Sequence, residues 1–168
     1  FPTTPGAFDT SFNSGSDAFV PRISPTGSSL VYSTYLGGTA GDTAEAPALY
    51  AHHTAPSPHD ALPTDFPTTP GAFDTSFNGG SAYIGDVFVT RFSPTGSSLV
   101  YSTFLGGTGR DRSLALALDA QGAVTVTGWT SSASYPTTPG AFDTSYNGGD
   151  FDAFVAKIKA SLPELPDD

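Results

Sequence analysis

The side chains able to do chemistry fall into a few sets, and each set can be weighed against plainer work. The only histidines are His52, His53 and His59, and with Asp60 and Asp65 they supply the atom types of a zinc site. Zinc sites of that kind use spacings such as HxxxH or HExxH, which put two ligands on one helical face, and these residues follow neither. All five lie in one anomalous stretch, so no metal site is expected. Cysteine is absent, which removes thiolate ligands and disulfides and leaves the redox compartment open.

LGGTAGD (36–42) and LGGTGRD (105–111) are glycine-rich, but a phosphate cradle needs Gly-Lys-Ser/Thr opening a helix, and neither a lysine nor a helical pattern follows. A tight turn ending a strand accounts for both. Asp9, Asp74 and Asp143, with Asn13, Asn78 and Asn147, could offer oxygens to calcium. They lack the consecutive spacing of an EF-hand or a calcium-binding nonapeptide, whereas Asx turns use the same residues for local capping. Arg22, Arg91 and Lys157 recur five residues after Asp17, Asp86 and Asp152. An odd separation puts strand residues on opposite faces, so a contact to a neighbouring sheet is expected rather than a same-strand ion pair. Trp129, the sole tryptophan, shares a strand face with Thr125 and Thr127 and is the one candidate ligand contact, as a platform for a sugar ring. No histidine lies in the regular part of the chain, so no Ser/His/Asp set forms there, and neither catalytic nor cofactor-binding residues are expected.

What positions these residues is a repeat. PTTPGAFDTS stands unchanged at 2–11, 67–76 and 136–145, SPTGSSLVYST at 24–34 and 93–103, and DAFVPR, DVFVTR and DAFVAK begin at Asp17, Asp86 and Asp152. The 168 residues thus divide into unit 1 (1–65), unit 2 (66–134) and a partial unit 3 (135–168) with an acidic tail. Within unit 2, DVFVTRF, SLVYSTFL, SLALALD and AVTVTGWT read as four strands. SPTG is a type I turn with Pro94 at its second position, and Pro139-Gly140 is the centre of a type II turn. DVFVTRF is apolar on both faces, so sheets must cover it on both sides. Leu114, Leu116 and Leu118 alternating with small alanines suit a crowded inner strand. Phe73, Phe77, Phe142 and Tyr146 are expected to plug apolar space beneath the connectors.

The segment 45–65 breaks the pattern. Pro47, Pro56, Pro58 and Pro63 stand where unit 2 has two paired strands, although the length matches. Matching length with unlike character is what a compensated reading-frame error leaves, and the segment is a candidate for non-native sequence.

Composition bounds the partners. A formal charge of −10 repels nucleic acid and anionic lipid, and no apolar run is long enough to span a membrane. The 38% hydrophobic content argues for folding despite 15 prolines. With no methionine and a first residue inside a repeat copy, the chain reads as a piece of a longer polypeptide.

DAFVxK, SPTGSSLVYSTYLGG, LALDAQG, VTVTGWTSS and YPTTPGAF together resemble the bacterial β-propeller repeat family known as SBBP repeats. The resemblance implies an all-β partial propeller of repeated four-stranded antiparallel blades, in a secreted or cell-surface bacterial protein, with no catalytic or cofactor residues. The expected function is a non-enzymatic structural or interaction module whose partner is a protein or glycan. Its alternative is a carbohydrate-binding propeller module. Two and a half units are too few to close a propeller, so self-association through open edges is also expected.

Overall fold

The structure is a computed structural model that describes residues 1–13, 15–42, 44, 50–51, 65–79 and 85–159. The three histidines, Asp60 and most of the anomalous segment lie outside these residues, and with them the zinc reading. Among the described residues there is no helix, and eight strands form three antiparallel sheets. They are β1 (Ala18–Ile23), β2 (Leu30–Leu36), the two-residue β3 (Tyr50–Ala51), β4 (Val87–Phe92), β5 (Leu99–Leu105), β6 (Asp111–Leu118), β7 (Val124–Thr130) and β8 (Asp152–Ile158). Sheet 1 is β1-β2, sheet 2 is β3-β4-β5 and sheet 3 is β6-β7-β8. They close into no barrel or ring.

The hairpins follow from their turns. Gly27 N–H donates to the Ser24 carbonyl at 2.8 Å and Gly96 N–H to that of Ser93 at 2.9 Å, so proline occupies the second position of each type I turn as its fixed φ favours. Register then repeats: Ala18 faces Leu36 in β1-β2 as Val87 faces Leu105 in β4-β5, and both hairpins carry a bulge after the arginine.

All four strands expected in unit 2 form, as β4 to β7, but they do not share one sheet. β4 and β5 belong to sheet 2, whereas β6 and β7 form a sheet in which β7 pairs with β8, the first strand of unit 3. The sheets straddle the repeat boundaries. A β-hairpin forms locally, and the break falls at Gly106-Gly107, where the chain leaves one sheet for the next.

The two apolar faces of β4 have separate destinations. Phe88 and Phe92 enter a core with Ala18, Tyr32, Leu36, Phe66 and Phe104. Val87 and Val89 enter a second core with Leu105, Val124, Val126, Phe154 and Ile158. Sheet 2 therefore lies between sheets 1 and 3. Each fully buried side chain of this kind contributes about 1.5–3 kcal/mol, which holds the stack together without disulfides. β7 shows the opposite case, with Val124 and Val126 buried and Thr125, Thr127 and Trp129 half-exposed, because no third core lies beyond it.

Two packing expectations are corrected. β6 is the edge strand of sheet 3, and Leu114 and Leu118 are exposed rather than crowded. Phe73 and Phe142 are also exposed, and Phe142 is fully so, whereas Phe77 does pack on the first core. The reason is visible in unit 1. There Phe8 reaches sheet 2, its N–H donating to the Gly96 carbonyl at 2.8 Å and its ring meeting Phe92 edge-on. Such a phenylalanine packs on the two-stranded hairpin of the following unit; after Phe73 only β8 of that hairpin is among the described residues, and after Phe142 none of it is.

Candidate functional site

The three PTTPGAF phrases fold identically. Ala7, Ala72 and Ala141 N–H each donate to a threonine carbonyl three residues back at 3.1 Å, across a glycine with φ between 76° and 82°. This is the expected type II turn, since glycine alone takes that φ without strain. Beyond it, Asp9, Asp74 and Asp143 accept the backbone N–H of Ser11, Ser76 and Ser145 at 2.8, 2.8 and 2.9 Å. Their second oxygens accept Asn13, Asn78 and Asn147 Nδ2–H at 2.9, 2.6 and 2.9 Å. The aspartates and asparagines weighed as calcium ligands are thus joined in Asx turns. The Ser145 N–H and the Asn147 amide hold the Asp143 carboxyl below its ordinary range.

The first two connectors also clamp a strand. In unit 1 Thr4 N–H donates to the Ser33 carbonyl at 3.0 Å, Ser33 N–H to Thr4 Oγ1 at 2.9 Å, and Tyr35 N–H to the Asp9 carbonyl at 2.9 Å. In unit 2 Thr69, Ser102, Phe104 and Asp74 make the same bonds at 3.0, 2.9 and 2.9 Å. The Thr34 and Thr103 hydroxyls add bonds to Asp9 and Asp74 on both sides of the clamp.

The residues that sequence reasoning passed over are Asp42 and Asp111. Both are buried, at 0% and 2% exposure, and their Oδ2 atoms accept Gly38 and Gly107 N–H at 2.9 and 2.8 Å. Beside them stand Asp17 and Asp86, whose Oδ2 atoms accept Asn13 and Asn78 N–H at 2.8 and 2.7 Å. A Cβ on Gly37 would lie 2.7 Å from Asp42 Oδ2 and 3.1 Å from Asp17 Oδ1, and one on Gly106 would lie 2.7 Å from Asp86 Oδ1 and 2.8 Å from Asp111 Oδ2. The glycine pair in LGGT thus makes room for two carboxyl groups. The signal was present in the sequence: an aspartate closes both LGGTxxD copies at the same offset.

Burial pushes the Asp42 carboxyl up to about 7, with the Gly38 N–H opposing and the Asp17 and Asp65 charges adding. Burial likewise pushes Asp86 up to about 7, opposed by the Asn78 N–H and helped by Asp111. Asp111 is raised by burial against hydrogen bonds from Thr130, Gly107 and Ser132. Paired acids of this kind could exchange a proton, but Asp42, Asp86 and Asp111 are too enclosed to touch a substrate. Their geometry ties the loop before β1 or β4 to the end of β2 or β5. Among the described residues no group of three or more His, Cys, Asp or Glu side chains is placed to hold a metal ion.

The basic residues of units 1 and 3 behave differently. Arg22 Nη1 donates to the Pro94 carbonyl at 3.1 Å, the expected contact to the neighbouring sheet. Lys157 instead meets Asp119 at 2.6 Å within sheet 3, an exposed ion pair that lowers the Asp119 carboxyl. Trp129 sits on the outward face of sheet 3, with the Phe151 ring centroid 4.1 Å away and the Arg110 guanidinium 5.9 Å over its ring. It is half-exposed, and two neighbours already occupy part of its surface.

A cleft of about 1110 Å³ opens between the third connector and β8, with Val100, Tyr101 and Phe73 on its far wall. The chain matches no known protein family, curated protein or solved structure.

Proposed function

We propose that the chain is a non-enzymatic scaffold and interaction module, built of stacked blades of an open β-propeller belonging to a secreted or cell-surface bacterial protein. The observation that carries this reading is sheet 2, whose strand β4 is buried on both faces between two cores, with repeated connectors bonded to β2 and β5. A strand covered on both faces belongs to a stack that extends in both directions, as propeller blades do. The outer faces support the same reading: Phe19 and Val31 stand exposed on sheet 1 and Val155 on sheet 3, as faces that a further blade would cover. The compartment rests on the repeat phrases alone.

The test is sedimentation of the chain over a concentration series together with binding of an apolar dye. Concentration-dependent association and dye binding, both reduced by Phe19→Glu and Val155→Glu, are expected. A sharp monomer that melts cooperatively and binds no dye overturns the open-stack reading. Saturable retention on polysaccharide, competed by free sugar and lost in Trp129→Ala, would replace it with the carbohydrate-binding reading.

A further inference from the structure

Asparagine is followed by glycine twice, at Asn78-Gly79 and Asn147-Gly148, and each pair stands in the same phrase of an aromatic, Asn, Gly and Gly at the end of a connector. Such a pair can modify itself, because the backbone nitrogen after an asparagine lies within reach of the side-chain carboxamide and glycine puts no Cβ in the way. Asn13 precedes Ser14, which does. Along the chain the two pairs are equivalent, and the fold makes them unlike.

Their carboxamides are held alike. Asn78 Nδ2–H donates to Asp74 Oδ2 at 2.6 Å and to the Ser76 carbonyl at 3.3 Å, and Asn147 Nδ2–H to Asp143 Oδ2 at 2.9 Å and to the Ser145 carbonyl at 3.3 Å. The attacking nitrogens differ. Gly79 is buried, and its N–H donates to the Asp86 carboxyl beside that of Asn78. Gly148 is exposed, and among the described residues nothing accepts its N–H. Asp152 follows Asn147 by five residues where Asp86 follows Asn78 by eight, and the shorter loop closes on itself. Tyr146 Oη–H donates to the Gly149 carbonyl at 2.7 Å, a bond that Phe77 has no hydroxyl to make. Gly148 and Gly149 take φ of 90° and 82°, and a Cβ on either would meet nothing within 4 Å, so the backbone has room to turn.

We propose that Asn147-Gly148 is a self-modification site, at which the chain converts its own amide into an acid, and that the fold protects Asn78-Gly79 from the same reaction. Hydroxide removes the Gly148 N–H proton, and the nitrogen attacks Asn147 Cγ. The new N–C bond closes a cyclic imide as the Cγ–Nδ2 bond breaks, and Nδ2 leaves as ammonia with a proton from water. Water then opens the ring at one of its two carbonyls. Cleavage at Cγ leaves an ordinary aspartate, and cleavage at the main-chain carbonyl leaves isoaspartate, which routes the chain through the side chain and adds a methylene ahead of β8. Water and hydroxide are the only co-reactants. The product places a carboxylate where a donor stood, 2.9 Å from Asp143 Oδ2. Two anions at that distance repel, and the third Asx turn opens. The reaction is independent of the scaffold reading and stands whether or not that reading does.

The test is incubation of the 168-residue chain at mildly alkaline pH, followed by peptide mapping with mass spectrometry and by labelling with an isoaspartyl methyltransferase. Amide-to-acid exchange is expected at Asn147 at least about tenfold faster than at Asn78, because the Gly79 N–H must first leave a carboxylate acceptor. In concentrated urea the two sites should react at one rate, since their phrases differ only in Tyr146 for Phe77. Asn147→Gln keeps an amide donor but would have to close a larger ring, and it should abolish methyl labelling of this loop. Equal rates in the folded chain, a preference for Asn147 that persists in urea, or labelling of the loop undiminished by Asn147→Gln overturns the proposal. Asn147→Asp carries the linear product and should speed hydrogen exchange at the Ser145 N–H, which Asp143 accepts, while leaving that of Ser76 unchanged. Unaltered exchange at Ser145 overturns the opening of the turn.

Discussion

Gly27 and Gly96 occupy the same turn position, with φ of 71° and 69°, yet their surroundings differ. A Cβ on Gly27 meets nothing within 4 Å, whereas one on Gly96 would lie 2.3, 2.5 and 2.7 Å from Cγ, Cδ2 and Cβ of Tyr32. Gly27→Ala therefore costs only the left-handed backbone, about 1–2 kcal/mol. Gly96→Ala costs that and a collision with a side chain that is 2% exposed and packed among Leu36 and Phe92, so it has little room to retreat. Overpacking of a close-packed core adds about 1–3 kcal/mol, for a total of about 2–5 kcal/mol. Urea unfolding of the two variants at one pH isolates the difference, because the backbone contribution is common to both. A double-mutant cycle then assigns it: in a Tyr32→Ala background the extra loss at position 96 should vanish, leaving the Gly27→Ala value. Equal losses at positions 27 and 96 in the parent chain, or an extra loss that survives removal of Tyr32, would refute the packing of the second hairpin's turn against Tyr32 of β2.

Other expectations follow from burial and charge. Asp42 and Asp86 titrate near 7 in the fold and near 3.9 when unfolded, so the folded chain holds protons that the unfolded chain has released between about pH 4 and 7. Their stabilising effect is complete below about pH 4 and is lost as pH rises through 7, with a ceiling on the order of 4 kcal/mol for each group. The urea midpoint should accordingly be higher at pH 5 than at pH 8, and Asp42→Asn with Asp86→Asn should flatten that difference. Phe88→Ala empties a fully buried site in the first core and should cost about 3–5 kcal/mol by thermal melting, while Phe142→Ala, at a fully exposed position, should change the melting temperature negligibly. Lys157→Ala breaks an exposed ion pair and should cost no more than about 1 kcal/mol, less at high salt.

The strands and turns were legible because each has a local cause. Alternation and β-branching marked β4, β5 and β7, proline and glycine marked the turns, and Asx chemistry marked Asp9, Asp74 and Asp143. The assignment of strands to sheets was not legible, because repeat boundaries and sheet boundaries are independent. A strand such as β8 carries no sign of whether it pairs with what precedes or follows it, and only β7 beside it decides. The buried acids escaped for a related reason. Asp42 and Asp111 look like turn aspartates along the chain, and their enclosure comes from Asp17 and Asp86, which lie 25 residues earlier in each unit. Phe73 and Phe142 were misplaced because a connector phenylalanine packs on the hairpin of the following unit, as Phe8 does, and not beneath its own connector.

The asparagine-to-aspartate bond ahead of β1, β4 and β8 bridges four, eight and five residues in the three copies. Its two ends stay pinned while the span between them varies, so length changes there leave the strand that follows undisturbed. Such a position is suited to accepting foreign segments, which makes it a natural place for diversification and for grafting an epitope or affinity tag.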